Sequence, residues 1–266
     1  MGARDMAEAG WVWEGLAFDP GLQPTVYGVG EGVEYFGVSG ANFLFHPNTP
    51  VNLAKLSHVP RVTADISKWV WVPAQTETGR YTYAHSRQDD PETVIAEAEK
   101  LSRLSLDFPN LVAGFIDDTS GEATHDSYST DTPRQVREAL RSHNPDLDLW
   151  IVVYTHQLAE DLWGDWEDQV DVICLWVWKS SDLVDIDEHI ARCRERFPRQ
   201  RLVMGVYMRD YTLRAPVPLD LLEIELHSIA RHLEAGVLDG YSILCTALID
   251  QHPEQAEFIR DFIHSH

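Results

Sequence analysis

The sequence predicts a single (β/α)8 barrel of the TIM type that spans residues 1–266. Short apolar runs, rich in β-branched and aromatic residues, alternate with amphipathic helical patterns, which indicates βαβ units and a parallel sheet. The runs LWIVVY and VICLWVW are apolar on both faces, as is typical of strands that are covered on each side. The length of 266 residues also suits one such barrel, which takes about 250 residues.

The strands of this barrel follow one another along the whole chain. Seven apolar runs and a less regular N-terminal one are interpreted as the strands, at residues 11–18, 33–45, 61–69, 110–118, 147–156, 170–179, 201–211 and 240–250. Asp90 and Pro91 predict the start of a helix, with a capping side chain before a proline in the first turn. Residues 70–90 are interpreted as a polar loop. Residues 19–32 contain too much glycine and proline for a good helix, so we expect an irregular first βα unit.

Composition excludes some functions. The net charge is -22, from 43 acidic and 21 basic residues, which argues against nucleic acid or an anionic membrane as the main partner. The three cysteines share no close spacing, which predicts no disulfide framework and favours a reducing compartment. No apolar signal segment and no stretch long enough to cross a bilayer occurs, so we expect a soluble, cytoplasmic protein unless a leader was removed. Neither GxGxxG nor GxxxxGK[ST] occurs, and no cofactor is expected.

Candidate functional residues come from the strand ends, because the active site of a TIM barrel lies at the C-terminal ends of its strands. Nearly every predicted strand ends in an acid, an aromatic residue or a histidine. The candidate catalytic acids are Asp117, Asp118, Asp65 and Asp250. The candidate substrate-binding residues are Glu14, Tyr154, His156, Trp176, Trp178, Tyr207 and Arg209.

The central candidates are Asp117 and Asp118, which follow the apolar strand LVAGFI. Residues two apart on a strand share a face, so Asp117 should face the same way as Phe115, and only one of the two acids should point into the barrel. We favour Asp117, with Asp118 as its support or as a cap. Two carboxyl groups in different environments can divide acid and base roles. Indole rings can stack on sugars, so this combination indicates a glycan site.

Several candidates also have a purely structural interpretation. Asp65 could form an ion pair with Lys68 or Arg209, and Asp250 could cap the last helix. One of Trp176 and Trp178 could be core, His156 could be a satisfied rim histidine, and Glu122 is interpreted as a solvated loop acid.

A metal site is not predicted. The chain has no HExxH or CxxC motif, and the possible ligands Asp65, Asp117, His156 and Asp250 are scattered over different strands. A metal-dependent barrel hydrolase or isomerase acting on a small sugar or acid remains an alternative, because ligands from different strands do build metal sites in barrels. A second alternative is a non-catalytic glycan-binding barrel.

Two stretches resemble known proteins. VAGFIDDTSGE resembles the strand ends of glycoside-hydrolase-type TIM barrels, where an apolar strand ends in catalytic or substrate-binding acids. GYSILCTALIDQHPEQAEFIRDFI looks like the last strand and helix of uncharacterised bacterial glycoside-hydrolase-like proteins. The chain lacks the DxxDxDxE run of the chitinase-like family and the Asn-Glu strand ending of the large retaining clan, so the resemblance does not imply a glutamate pair.

The resulting hypothesis is a glycoside hydrolase with a carbohydrate substrate. Asp117 or Asp118 would supply one carboxyl group, as general acid or nucleophile. Asp65 or Asp250, and after them Glu14, would supply the second. The sequence does not determine the sugar, the stereochemistry or the oligomeric state.

Overall fold

The computed structural model describes residues 5–15, 23, 25–75, 77–79, 81–120, 128–159 and 162–266. Its strands are, in chain order, β1 (Gly10–Trp13), β2 (Gly40–Phe43), β3 (Arg61–Asp65), β4 (Trp69–Gln75), β5 (Tyr81–Arg87), β6 (Leu111–Ile116), β7 (Asp148–Tyr154), β8 (Val172–Trp176), β9 (Arg201–Tyr207), β10 (Arg209–Asp210), β11 (Ala215–Pro216) and β12 (Gly240–Leu244). Eight of them, β1, β2, β3, β6, β7, β8, β9 and β12, pair in parallel in this order, and β12 closes the barrel on β1. The predicted (β/α)8 barrel is confirmed.

Helices follow the barrel strands on the outside. Within the described residues they are α1 (Met6–Ala9), α2 (Val29–Phe36), α3 (Pro50–Lys55), α4 (Pro91–Leu104), α5 (Thr132–Leu140), α6 (Gly164–Glu167), α7 (Ile186–Arg196), α8 (Leu219–Glu234) and α9 (Pro253–Ser265). The predicted start of α4 is confirmed, because the Asp90 side chain accepts a hydrogen bond from the Thr93 backbone N–H at 3.0 Å. None of the helices described here combines the length and the apolar composition that crossing a bilayer requires.

The first βα unit differs from the prediction. The run at 33–45, interpreted as one strand, is split between the end of α2 and the strand β2. Val29, Val33 and Phe36 are buried at helical spacing, and Gly37 ends the helix in the left-handed conformation, with φ of 68°. The expected irregularity concerns residues 19–32, of which 19–22 and 24 lie outside the described residues. The helix α2 begins within this range, at Val29, and is regular.

The predicted loop at 70–90 is wrong, because most of it forms an antiparallel hairpin of β4 and β5. The two strands pair from Trp69 with Arg87 to Gln75 with Tyr81. The sequences WVWVPAQ and YTYAHSR are rich in β-branched and aromatic residues, which favour strands, although their polar residues suggested a loop. The hairpin lies between β3 and α4 and brings its base to the C-terminal end of the barrel.

Large aromatic side chains fill the barrel interior. Trp11 and Trp150 meet edge to face with ring centroids 4.9 Å apart, and Trp13 meets Trp176 in the same way at 5.2 Å. Room for them comes from glycine on the neighbouring strands: a Cβ atom at Gly40 would overlap the Trp11 ring, and one at Gly205 would overlap the Trp176 ring. The interior is therefore a packed core rather than a channel, as expected for a TIM barrel.

A chain of hydrogen bonds ties four strands together inside this core. The Trp13 indole N–H donates to Ser242 Oγ at 2.6 Å, and the Ser242 hydroxyl donates to Asn42 Oδ1 at 2.7 Å. The Asn42 amide then donates to Thr63 Oγ1 at 2.7 Å. These buried groups come from β1, β12, β2 and β3, and each finds a hydrogen-bond partner within the protein. The bonds thereby stabilise the closure of the barrel.

The substitution Gly205→Ala tests the packing of the core. The added methyl group would overlap the Trp176 ring, and overpacking of a filled core costs about 1–3 kcal/mol. We expect a loss of that size in the free energy of unfolding, measured by urea denaturation. The control is Gly164→Ala, where a Cβ atom would meet no atom within 4 Å and stability should be nearly unchanged. Equal stability of the two variants would contradict the packing argument.

Candidate active site at the barrel mouth

Asp117 follows β6 on the face that points into the barrel. A Cβ atom at Gly114 would lie 2.9 Å from Leu140 Cδ1 on α5, so Gly114 faces the outer helices. Phe115 faces the interior, where its ring meets Trp13 with centroids 5.2 Å apart. Because alternate residues share a face, Asp117 continues the inward face of Phe115, as the sequence predicts.

The Asp117 carboxyl group lies in an environment that disfavours its negative charge. Burial raises its pKa well above the usual value, and the negative charges of Asp118 and Asp65 raise it further. The Trp69 indole N–H donates to Asp117 Oδ2 at 2.9 Å, and this bond, with the positive charge of Arg87, opposes part of the increase. Asp117 therefore holds its proton to a higher pH than an ordinary aspartic acid does.

Asp118 has a different role from its neighbour. It adopts the left-handed conformation, with φ of 45°, and its Oδ1 accepts a hydrogen bond from the Tyr154 hydroxyl at 2.7 Å. The Arg87 guanidinium donates to the main-chain carbonyls of Asp117 and Asp118. The Asp118 side chain is thus bonded to a tyrosine of the next barrel strand.

Aromatic side chains cover the mouth beside the two acids. Tyr207 and Tyr154 lie side by side at the mouth, where each meets the Trp178 ring edge to face, and burial raises the pKa of both phenols well above the usual value. The Trp178 ring is 37% exposed and meets Tyr154 edge to face at 5.5 Å. Tyr211 stacks on Trp178 at 6.1 Å, and the exposed His156 ring stacks on Tyr154 at 5.6 Å. The phenols remain protonated donors, while Trp178 offers an apolar surface to solvent.

Asp65 lies deeper than the other candidate acids. It is fully buried, and its Oδ1 accepts hydrogen bonds from the Ser67 backbone N–H at 2.8 Å and from the Ser67 hydroxyl at 3.0 Å. Burial raises its pKa to about 6, although the charge of Lys68 opposes the increase. Asp65 therefore acts on Asp117 through its charge and is enclosed by protein.

Glu14 is held by the loop after β2. Its Oε2 accepts hydrogen bonds from the backbone N–H groups of Leu44 at 2.9 Å and Phe45 at 2.7 Å, and its Oε1 pairs with His46 Nδ1. The hydrogen bond that His46 donates to Glu14 raises the pKa of His46. Most of the hydrogen-bonding capacity of this carboxylate is therefore satisfied within the protein.

The surroundings of three other candidates differ from those of the acid pair. Trp176 is 2% exposed and packs in the core against Trp13 and Gly205. Arg209 is buried, with its Nη1 atom 3.4 Å from His252 Nε2. Asp250 is exposed in the turn before α9 and, among the described residues, makes no hydrogen bond or ion pair with the other candidate acids. Glu122 lies outside the described residues.

Three residues that touch this site were missed in the sequence. Trp69 and Arg87 contact the acid pair from the base of the hairpin, and Tyr211 stacks beside it in the segment after β9. The β-branched and aromatic residues along 69–87 indicate two strands of a hairpin, and this signal could have identified Trp69 and Arg87. Across the residues that the structure describes, no three or more His, Cys, Asp or Glu side chains are grouped so as to hold a metal ion.

The substitution Trp69→Phe tests the electrostatics of Asp117. The indole N–H stabilises the ionised carboxylate, so its removal should raise the pKa of Asp117 further. The measurement is a carboxyl ¹³C NMR titration of aspartate-labelled protein, assigned with Asp117→Asn. Trp178→Phe is the control, because Trp178 lies in the same mouth but does not donate to Asp117. A downward shift, or the same shift in both variants, would contradict the assignment.

No protein-family model and no curated protein sequence matches the chain. Several solved structures match it in fold. The fold is similar to a β-glucuronidase of Bacteroides uniformis, with a TM-score of 0.58 and 10% identity, over 92% of this chain and 31% of that one. It is similar to a GH2 β-galacturonidase from Eisenbergiella tayi, with a TM-score of 0.57 and 11% identity, over 88% and 46%.

The catalytic domain of a family GH18 chitinase from the fern Peteris ryukyuensis is also similar, with a TM-score of 0.52 and 14% identity, over 94% of this chain and 98% of that one. The chain thus spans less than a third of the length of the β-glucuronidase. At these identities the likeness is one of fold. The chain has a TIM barrel of the kind that glycoside hydrolases use, which confirms the resemblance at the level of the fold.

Proposed function

We propose that this protein is a glycoside hydrolase whose reaction centre is the Asp117–Asp118 pair. The observation that carries the proposal is the difference between the two adjacent carboxyl groups. Asp117 has a pKa raised by burial and by neighbouring negative charge, whereas Asp118 accepts a hydrogen bond from Tyr154 at 2.7 Å. Glycoside hydrolysis requires two carboxyl groups in different roles.

Asp117 is the proton donor in this proposal. Its raised pKa keeps the carboxyl group protonated at a pH where an ordinary aspartic acid has ionised, and the proton goes to the glycosidic oxygen as the bond to the leaving group breaks. The charge of Asp65, buried behind it, helps to keep that proton in place. Asp118, oriented by Tyr154, supplies the negative charge that stabilises the oxocarbenium-like transition state.

The aromatic surface binds the sugar. The exposed ring of Trp178 offers an apolar face next to the hydroxyl groups of Tyr154 and Tyr207, and His156 extends this surface at the rim. An apolar ring face beside hydroxyl donors matches the two kinds of surface that a pyranose presents. The glycoside-hydrolase structures with the same fold support the same substrate class.

The proposal predicts different kinetics for two substitutions. Asp117→Asn should lower kcat/KM for glycosides with poor leaving groups by about 10²–10⁴-fold, the usual contribution of general acid catalysis. The loss should be much smaller for dinitrophenyl glycosides, whose leaving group needs no proton. Asp118→Asn should reduce turnover of both substrate types, because its charge acts on the sugar. The measurement is kcat/KM over a panel of aryl glycosides.

The control for these variants is Asp250→Asn, which alters an exposed aspartate in the turn before α9 and should retain wild-type kcat/KM. Loss of activity in this variant would instead support the role that the sequence suggested for Asp250. Wild-type turnover by both Asp117→Asn and Asp118→Asn would remove the pair from the chemistry. Glycan binding without turnover over the whole panel would assign a non-catalytic glycan-binding role.

A further inference from the structure

One buried glutamate on α8 has no part in the reaction proposed above. Glu225 lies on the buried face of this helix, beside Leu222 and Leu226, and is 1% exposed. The other acids of α8 are all exposed. Among the residues that the structure describes, the Glu225 Oε2 atom has no hydrogen-bond partner. A buried carboxyl oxygen without a partner is unfavourable, which points to a polar ligand from outside the chain.

Glu225 lines a small cavity next to the aromatic surface of the mouth. This cavity lies between α8 and the segments that follow β8 and β9, and two members of the aromatic surface, Trp178 and Tyr207, also line it. Its volume is about 10 Å³, which is the space that one water molecule or one hydroxyl group needs. The cavity is therefore too small for a sugar ring but large enough for one of its hydroxyl groups.

The two acids of this cavity differ in their hydrogen bonds. Asp210 Oδ2 accepts bonds from the Ser180 backbone N–H at 2.9 Å and from the Ser180 hydroxyl at 2.5 Å. Its Oδ1 accepts three more, from the Thr212 backbone N–H and hydroxyl and from the Leu213 backbone N–H. Glu225 has no such donors, and burial raises the pKa of its carboxyl group well above the usual value. A neutral carboxylic acid is both a donor and an acceptor, and so is a hydroxyl group.

We propose that this cavity is a specificity pocket, in which Glu225 binds one hydroxyl group of a sugar whose ring lies against Trp178. The hydroxyl group and the carboxyl group exchange hydrogen bonds, which gives the Oε2 atom a partner. A site that hydrogen-bonds a substrate hydroxyl group rejects the analogue that lacks it, so Glu225 selects among sugars at one ring position. This inference rests on the proposed carbohydrate ligand of the mouth but not on hydrolysis at Asp117.

Binding of deoxy sugars to the intact protein tests the proposal without turnover. The probes are the methyl glycosides of glucose, galactose, mannose and N-acetylglucosamine, and the tightest binder is compared with its monodeoxy analogues. Dissociation constants come from NMR titration of the Trp178 indole signal in ¹⁵N-tryptophan-labelled protein, assigned with Trp178→Phe. We expect one deoxy analogue to bind the wild type about tenfold more weakly than its parent, because it leaves the Glu225 carboxyl group without a partner.

Two substitutions of Glu225 assign this difference to the carboxyl group. Glu225→Gln keeps a donor and an acceptor in the same shape, so the tenfold preference for the parent sugar should remain. Glu225→Met is apolar and of similar size, so parent and deoxy sugar should bind with nearly equal affinity. The control is Glu223→Gln, which alters an exposed acid of the same helix and should bind every sugar as the wild type does.

The outcomes separate this proposal from the proposed hydrolysis. Equal affinities of the parent and all its deoxy analogues in the wild type, or the same preference in Glu225→Met, would overturn the pocket and leave it as a site for an internal water molecule only. Failure of every glycoside to bind would overturn it together with the carbohydrate ligand. The expected pattern of binding, with no turnover of aryl glycosides, would support the pocket and contradict hydrolysis alone.

Discussion

Fitting four tryptophans inside one barrel is the constraint on which the rest of this structure depends. Trp11, Trp13, Trp150 and Trp176 are all buried, and rings of this size fit only where the adjacent strand carries no side chain. Glycines on β2 and β9 supply that space. Since interiors are packed as densely as organic crystals, Trp11 and Trp176 require these glycines on the neighbouring strands.

The same packing extends to the mouth and orients the polar residues there. Trp176 meets the Tyr207 ring with centroids 4.7 Å apart. The Trp178 ring meets both Tyr207 and Tyr154 edge to face, and Tyr154 donates a hydrogen bond to Asp118. A core contact is thereby connected to the candidate catalytic acid through three aromatic side chains. Groups held by such a network lose little entropy when a ligand binds, which is the physical meaning of a preorganised site.

The hairpin β4–β5 divides the mouth into two chemical environments. On one side, Trp69 and Arg87 contact the acid pair. On the other side, the neighbouring Lys68 donates hydrogen bonds to the carbonyls of Phe43 and Leu44. Burial acts oppositely on the two sides, because it raises the pKa of Asp117 and lowers that of Lys68. In both cases burial favours the uncharged form of the side chain.

Much of the fold could be predicted from the sequence, and so could the location of the site. Doubly apolar runs such as those around Trp150 and Cys174 indicate covered parallel strands, and the inward face of Asp117 follows from its spacing to Phe115. The hairpin and the end of α2 were missed, because β-branched residues mixed with polar ones resemble a loop and Val33 to Phe36 resembles a strand. Local pattern cannot distinguish these cases when tertiary contacts decide them.

The sequence by itself determined the residue types at the strand ends and which of two adjacent acids faces the barrel, because alternation along a strand is a local property. Only the tertiary structure decided which of those residues meet. Asp118 with Tyr154 and Asp117 with Trp69 are brought together. Glu14 is hydrogen bonded to the loop after β2, and Asp250 is exposed in the turn before α9. Burial and the charges of residues distant in sequence set the pKa values of the carboxyl groups of Asp117 and Asp65. Both effects depend on the three-dimensional fold, which local sequence order does not reveal.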